Sequence, residues 1–149
     1  MEILKISSND TISIRHQVLR QGKPIETCHF DGDNLESTIH FGFFVNKILI
    51  GVISCFKNNS IFDSENQYQF RGMAVLESFQ NQGIGKKLVI YSENYLATKN
   101  TNLIWFNARF VAISFYQKLG YLIDGDGFEI GDIGEHFLMF KQLNEKNEF

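Results

Sequence analysis

The sequence predicts a single α/β (α+β) domain built on a mixed, mostly antiparallel sheet that is flanked by helices. Apolar, β-branched runs at 39–45 and 48–56 are separated by two residues, the first of them Asn, which is a strong hairpin signal. A third run at 67–76 extends the hairpin into a meander. A helical pattern at 84–98 then leads to a short apolar strand at 103–107, and this succession predicts a parallel strand pair with a right-handed crossover.

The segment before the hairpin is predicted to form a strand and a helix. Residues 2–6 alternate apolar side chains as a strand does. Asn9-Asp10 offers a cap for a helix that runs through Arg20, and a Gly-Lys-Pro run ends it. The stretch 25–37 is polar and acidic, and a loop of this length in a compact domain is either a functional element or a solvated connection.

The C-terminal part is predicted to contain one more helix and several short strands. Apolar side chains at helical spacing predict a helix over 108–119, with Gly120 as its C-cap. There is no repeat and no linker, so residues 1–149 are predicted to be one domain. Short strands are expected at 121–123, 127–130 and 136–143, and a frayed tail at 144–149.

Composition and charge argue against several classes of protein. The 149 residues, 44% of them hydrophobic, suffice for one core, and a net charge of −3 argues against a nucleic-acid binder. No apolar run is long enough to span a membrane, and the first residues lack the pattern of a signal peptide, so we expect a cytoplasmic protein. Cys28 and Cys55 are too few for a disulfide framework and are interpreted as small buried residues, so no metal site is expected.

A glycine-bearing turn between a strand and a helix is the strongest local signal of function. Gly83 and Gly85 precede the helical pattern, where unpaired N–H groups and the helix dipole favour an anion such as a phosphate. The spacing fits neither a P-loop nor a dinucleotide fingerprint, which would need a third glycine where Leu88 stands. The alternative is a flexible turn that binds no ligand.

Two segments of the chain resemble the GNAT (GCN5-related) N-acetyltransferases. Gln80-x-x-Gly83-x-Gly85 is similar to the acetyl-CoA signature [QR]-x-x-G-x-[GA] of that family. About twenty residues later, the segment from Asn107 to Tyr121 resembles its N-A-x-x-x-A-x-x-F-Y-x-K-x-G-[FY] pattern. The chain also resembles the small bacterial ElaA/YjcF-like branch, through Val18-Leu19-Arg20 and the acidic loop before residues 39–42.

The resemblance implies an acetyl-CoA site in which a splayed parallel strand pair holds the cofactor. Backbone groups of a bulged strand end at Met73, Ala74 and Val75 would hold the pantetheine arm, and the N–H of Val75 would polarise the thioester carbonyl. Asn107 would hydrogen-bond the pantetheine chain, and Tyr116 would protonate the departing thiolate. The pyrophosphate would be cradled by Gln80, Asn81, Gln82, Gly83, Ile84, Gly85 and Lys86.

Several of these residues also have structural interpretations. The hydroxyl of Tyr suits proton donation because its reference pKa is about 10. Tyr116 is alternatively a core residue whose hydroxyl bonds to the backbone, and Asn107 is alternatively the N-cap of the helix that follows. Arg109 is interpreted as a surface residue or a phosphate contact rather than a catalytic residue.

The general base and the acceptor are less well defined by the sequence. The candidate bases are Glu26, His29, His40, Glu129 and His136, or a water relay; His136 is preferred because its segment resembles an I-x-x-H-x-x-M pattern of the branch. Substrate contacts are expected from Arg71, Glu26 and His40. Arg71 would pair with a substrate carboxylate or, as a structural ion pair, with Glu26 or Asp33.

Two functional hypotheses follow from the residues and the resemblance. The first is an N-acetyltransferase that transfers an acetyl group from acetyl-CoA to a primary amine by direct attack in a ternary complex. The second is a GNAT-like module that binds CoA thioesters or regulates a partner without turnover. For the enzyme we expect a small-molecule or peptide amine as substrate and no nucleic-acid or membrane partner, and we allow for a homodimer. The acidic loop favours a cationic amine or serves solubility alone.

Overall fold

The computed structural model describes residues 1–131 and 133–143, and in that part of the chain seven strands form one sheet of order β1-β2-β3-β4-β5-β7-β6. Three α-helices and three short 3₁₀ helices connect the strands. The strands are β1 (Glu2–Ile6), β2 (Ile39–Val45), β3 (Ile48–Phe56), β4 (Gln67–Val75), β5 (Leu103–Arg109), β6 (Leu122–Ile130) and β7 (Gly134–Gln142). The helices are α1 (Ser8–Leu19), α2 (Ile84–Ala97) and α3 (Ile113–Lys118), and the 3₁₀ helices are Ile25–Cys28, Glu77–Phe79 and Phe110–Ala112.

The antiparallel half of the sheet confirms the predicted meander. Strands β1 to β4 pair antiparallel with their neighbours. The two residues that join β2 to β3, Asn46 and Lys47, have φ of 51° and 67°. Both lie in the left-handed region that a two-residue hairpin turn needs to match the twist of its strands.

The parallel pair of β4 and β5 is also confirmed, and it is short. Pairing starts at Gln67 with Leu103 and ends at Gln69 with Trp105. Beyond this point β5 pairs only with β7, while β4 stays with β3. The C-terminal halves of β4 and β5 therefore diverge, and the sheet opens into a cleft on the carboxyl side of its centre.

Helices cover both faces of the sheet next to this opening. On one face Leu88, Val89 and Leu96 of α2 are fully buried against the strands. On the other face Ile14 of α1 packs with Val52 and Ala74. Burying such apolar stripes is the main force that fixes both helices on the sheet. None of the helices in the described residues is long and apolar enough to cross a membrane.

The first helix begins earlier than its predicted cap. Ser7 is the N-cap, and its hydroxyl accepts a hydrogen bond from the Asp10 N–H while the Asp10 carboxylate accepts one from the Ser7 N–H. This reciprocal pair is a capping box, so Asp10 acts in the first turn and the predicted Asn9-Asp10 cap is wrong by two residues.

The predicted helix over 108–119 is wrong over residues 108–112, which are not α-helical. β5 continues to Arg109 because its last residues pair with β7, a partner that lies nearly thirty residues away in sequence. A 3₁₀ turn follows, and α3 is only six residues long, with Gly120 directly after its C-cap at φ +96°. The predicted strands 121–123 and 127–130 are one strand, β6, with an irregularity between Asp124 and Phe128. The predicted frayed tail at 144–149 lies outside the described residues.

Candidate active site

The cleft between the diverging strands has a volume of about 1070 Å³. A bulge in β4 shapes one wall, because Ser54 pairs with Arg71 whereas Val52 pairs with Ala74, leaving two residues of β4 opposite one of β3. The two residues opposite Ile53 are Gly72 and Met73, so the bulge begins one residue earlier than the predicted 73–75. The bulge needs a glycine, since Gly72 has φ +66° and a Cβ there would lie 2.9 Å from the Phe30 ring.

The backbone N–H of Val75 points away from β3 and towards the cleft. Hydrogen-bonded and non-hydrogen-bonded pairs alternate along an antiparallel ladder. The next residue, Leu76, donates its N–H to the Ile50 carbonyl at 2.9 Å, and Val75 itself pairs with Gly51. The Val75 N–H therefore faces the opposite edge of β4, which β5 has already left.

The start of α2 forms the mouth of the cleft. Gly83 is the N-cap with φ +81° and no side-chain cap, and the first helical N–H with a partner in that turn is that of Lys87, which bonds to the Gly83 carbonyl. The preceding N–H groups have no partner among the residues that the structure describes, so they are available to an anion at the positive end of the helix dipole. Gly85 permits close packing, since a Cβ there would lie 3.4 Å from Met73 Cε and 3.5 Å from Phe115.

Gln80 connects this mouth to the end of β4. Its Nε2 donates to the Val75 carbonyl at 2.8 Å. Asn81, with φ of 63°, lines the cleft together with Gln80 and Lys86, whereas Gln82 does not line it. This hydrogen bond holds the turn that begins at Gln80 against the end of β4, next to the Val75 N–H that faces the cleft.

Tyr116 lies on α3 and lines the opposite wall. Its ring packs on Phe106, Phe115 and Tyr121 with ring centroids 4.3, 4.9 and 5.9 Å away. Burial raises the pKa of Tyr116 to about 12, so its hydroxyl is a proton donor and not a base near neutral pH. The ring is packed as the structural interpretation expected, but within the described part of the chain the hydroxyl makes no hydrogen bond to the backbone.

Asn107 and His136 lie on neighbouring strands at the cleft. Asn107 is an exposed residue of β5 and lies two positions beyond the last parallel pair. It does not cap a helix, because the residue that precedes the next helical turn, a 3₁₀ helix, is Arg109. His136 on β7 is 7% exposed and pairs with Arg109. Its Nδ1 lies 2.8 Å from the Gly134 carbonyl, which can only accept a hydrogen bond, so Nδ1 is the donor in this contact and Nε2 is not engaged by it.

Two predicted substrate contacts lie away from the cleft lining. Glu26 is exposed on the 3₁₀ helix Ile25–Cys28. His40 is 4% exposed, and its two ring nitrogens lie 2.7 Å from Ser54 Oγ and 3.0 Å from the Asp33 carbonyl. Burial lowers the pKa of His40. In this arrangement His40 supports the loop that carries Asp33.

Asp33 pairs with Arg15 and not with Arg71. Arg15 is fully buried, and its Nη1 and Nη2 donate to the two carboxylate oxygens of Asp33 at 2.7 and 3.0 Å. Burial pushes the pKa of Asp33 up, but the hydrogen bonds from Arg15 and from the Phe30 N–H outweigh it and hold that pKa below its usual value. The structural ion pair that the sequence suggested for Arg71, with Asp33 or Glu26, is therefore not formed.

The loop 25–37 contributes a residue that the sequence reasoning missed. Phe30 lines the cleft, and its ring lies 3.9 Å from the Arg15 guanidinium and 4.5 Å from that of Arg71. Phe115 of α3 was likewise missed as a lining residue. The length of the loop was the only sequence signal for Phe30, because nothing local predicts that an isolated Phe among polar residues folds back onto β4.

Comparisons with known proteins agree with this geometry. The sequence model of the Acetyltransferase (GNAT) family matches residues 9–121. A Bacillus subtilis (strain 168) protein described as uncharacterized N-acetyltransferase YitI is 35% identical over 144 residues, which cover 96% of this chain and 97% of that protein.

Two solved structures share the fold of the chain. An aminoglycoside 6'-N-acetyltransferase complexed with coenzyme A has a TM-score of 0.79 at 17% identity, with 99% of this chain and 100% of that chain covered. Escherichia coli ElaA has a TM-score of 0.74 at 14% identity, with 94% of this chain and 98% of that chain covered.

Proposed function

Since the chain belongs to the acetyltransferase (GNAT) family and is an acetyl-CoA-dependent N-acetyltransferase, we propose that it acts by direct attack of a primary amine on the thioester in a ternary complex. The observation that carries this proposal is one cleft that holds three complementary groups. These are the inward N–H of Val75, the packed hydroxyl-bearing ring of Tyr116, and the uncapped N-terminus of α2.

The residues at the mouth of the cleft fit the phosphates of coenzyme A. The turn at Gly83 presents unpaired N–H groups, and the Lys86 side chain adds a positive charge beside them. Met73, Ala74 and Asn107 line the path from this mouth towards the parallel pair, where they would hold the pantetheine arm. When bound, acetyl-CoA supplies an activated acetyl thioester.

Val75 and Tyr116 have distinct roles in this proposal. The Val75 N–H stabilises negative charge that develops on the carbonyl oxygen, an effect worth about 3–4 kcal/mol for one well-placed donor. The Tyr116 hydroxyl gives its proton to the departing sulfur. A pKa of about 12 keeps that proton in place at neutral pH until the sulfur acquires charge.

His136 is the proposed general base for the incoming amine. Its Nδ1 is committed to the Gly134 carbonyl, which leaves Nε2 as the nitrogen that accepts a proton. The ring lines the same cleft as Arg71, the proposed acceptor contact.

Several other expectations from the sequence remain predictions. Glu26 and His40 remain predictions as acceptor contacts, and neither of them lines the cleft. The cytoplasmic location, the homodimer and the ElaA/YjcF-like branch also remain predictions.

Replacing Tyr116 with Phe tests the chemistry. We expect turnover, followed by release of the CoA thiol with a primary amine, to fall by about 10²–10⁴-fold. The affinity for acetyl-CoA should stay within a factor of two or so, because the ring and its packing are retained. Tyr91→Phe, on the exposed side of α2, is the matched control. Unchanged turnover in Tyr116→Phe would remove Tyr116 from the mechanism.

The second hypothesis, a module without turnover, is less well supported. The observation that favours it is that β4 carries no Asp or Glu that could serve as a base beside the bulge. The family match and the relative described as an N-acetyltransferase favour the enzyme, and His136 offers a base from another strand.

A further inference from the structure

Arg71 is a cation that has no directly paired anion among the residues that the structure describes, although the charges of Asp33 and Asp31 act on it from a longer distance. Its guanidinium lies 4.5 Å from the Phe30 ring and 5.5 Å from the Phe56 ring. It makes no hydrogen bond or ion pair with any residue that the structure describes. Burial and the nearby charge of Arg15 lower the pKa of Arg71, and the charges of Asp33 and Asp31 offset only part of this effect, so a directly bound anion would stabilise the cationic form.

The position of Arg71 separates it from the phosphate end of the cleft. Along β4 it precedes Val75 by four residues, or about 13 Å of strand before the bulge is allowed for. The turn at Gln80–Gly85 lies beyond Val75 in the other direction. If the acyl oxygen binds at Val75, the charge of Arg71 lies on the side from which the acceptor approaches.

The carboxylate whose charge acts most strongly on Arg71 is already committed to another arginine. Both carboxylate oxygens of Asp33 accept hydrogen bonds from Arg15, whose guanidinium also lies 3.9 Å from the centre of the Phe30 ring. The charged lining residues of the cleft in the described part of the chain are all basic, namely Arg20, Lys23, Arg71, Lys86 and Arg109. An acceptor that is only cationic would therefore meet repulsion at this wall.

We propose that the acceptor is an amine that also carries an oxyanion, a carboxylate or a phosphate, and that the Arg71 guanidinium binds this group beside the Phe30 ring. A planar guanidinium pairs with two oxygens at once, which fixes the orientation of the acceptor as well as its charge. Phe30 holds the guanidinium flat and excludes water from one of its faces. This inference rests on the proposed function and names the substrate class of the same site.

The test compares matched acceptors. Release of the CoA thiol is measured with the common amino acids, their amides, phosphoethanolamine and ethanolamine. We expect the anionic member of the best pair to have a kcat/KM about 10- to 100-fold higher than its neutral counterpart, as for a hydrogen bond to a charged group. The carboxylate and phosphate arms distinguish the two sources of the oxyanion.

Variants assign the preference to Arg71. In Arg71→Gln the ratio of anionic to neutral acceptor should fall to about one, through a higher KM for the acceptor, while the KM for acetyl-CoA stays unchanged. Arg71→Lys should retain part of the preference for the anionic acceptor, because Lys keeps the positive charge but lacks the planar group that donates to two oxygens at once. Lys57→Gln, a cation that contacts the Tyr68 ring outside the cleft lining, is the control and should keep the full ratio.

A binding measurement covers the case in which no acceptor of the panel turns over. With CoA saturating, thermal unfolding is followed with N-acetylated amino acids and with the corresponding amides. Stabilisation by the acids alone, lost in Arg71→Gln, supports the proposal. A preference for neutral members, stabilisation by neither series, or a preference that survives Arg71→Gln overturns it. Failure to bind acetyl-CoA at all would instead count against the proposed function.

Discussion

Replacing Gly83 with Val separates backbone strain from loss of the phosphate site. Gly83 has φ +81°, and nothing lies within 4 Å of a Cβ built there. The cost to the free protein therefore comes from the left-handed backbone, at about 2–3 kcal/mol for a β-branched residue. At about 2–4 °C per kcal/mol for a chain of this size, the melting temperature should fall by about 4–12 °C.

Gly22 provides a control with the same φ. It has the same φ of +81° and also no atom within 4 Å of a Cβ, but it does not line the cleft. Gly22→Val should therefore lose a similar amount of stability. If the two variants lose a similar amount of stability, a difference between them in ligand response is assigned to the site.

Thermal unfolding with acetyl-CoA, CoA, ATP and NAD gives the readout. A ligand at a hundredfold its Kd stabilises by about 2.7 kcal/mol, a rise of about 5–10 °C for this chain. We expect this rise with acetyl-CoA and CoA in the wild type and in Gly22→Val, and no rise in Gly83→Val. An equal rise in both variants would refute the assignment of the phosphates to the turn.

Two further predictions concern buried groups. Asp33→Asn leaves the Arg15 charge unpaired and should cost about 3–5 kcal/mol in urea unfolding, whereas the exposed Asp31→Asn should cost little. The pKa of Asp33 in the folded protein lies below its usual value of 3.8, so at low pH the unfolded chain takes up a proton more readily than the folded protein does. The difference in unfolding free energy between the wild type and Asp33→Asn should therefore shrink as the pH falls below 3.8. Equal costs for both variants would contradict the ion pair. Cys28 and Cys55 are both 0% exposed, and burial raises the pKa of Cys55 to about 12, so neither thiol should react with an aromatic disulfide reagent until denaturant is added. Release of the coloured thiolate from the reagent by the native protein would contradict the burial of these thiols.

The elements that the sequence predicted correctly are those whose cause is local. The bounds of β2 and β3 agree with the apolar runs, because the turn at Asn46-Lys47 fixes their register with two left-handed residues. The turn before α2 was equally visible, since Gly83 occupies a backbone conformation that other residues rarely adopt. Such requirements can be read from a few neighbouring residues.

The features that the sequence did not predict depend on distant partners. Residues 108–109 carry a helical pattern, yet they extend β5 because β7 supplies hydrogen-bond partners there. The bulge at Gly72 lies against Phe30, which approaches from a loop about forty residues away, so the fit of the bulge in the fold depends on a residue outside β4. Tertiary pairing and packing decided both cases.

The choice of partner for Asp33 shows how core electrostatics bears on the acceptor wall. Two arginines, Arg15 and Arg71, lie near this carboxylate, and the sequence does not rank them. Arg15 is fully buried, and a buried charge without a counter-charge costs several kcal/mol, so it takes the carboxylate. Arg71 keeps partial access to the cleft and an aromatic face on Phe30, which makes an unpaired state tolerable. The ion pair of Arg15 with Asp33 thus leaves Arg71 available to a ligand. The same pair also contacts Phe30, beside whose ring that ligand would bind.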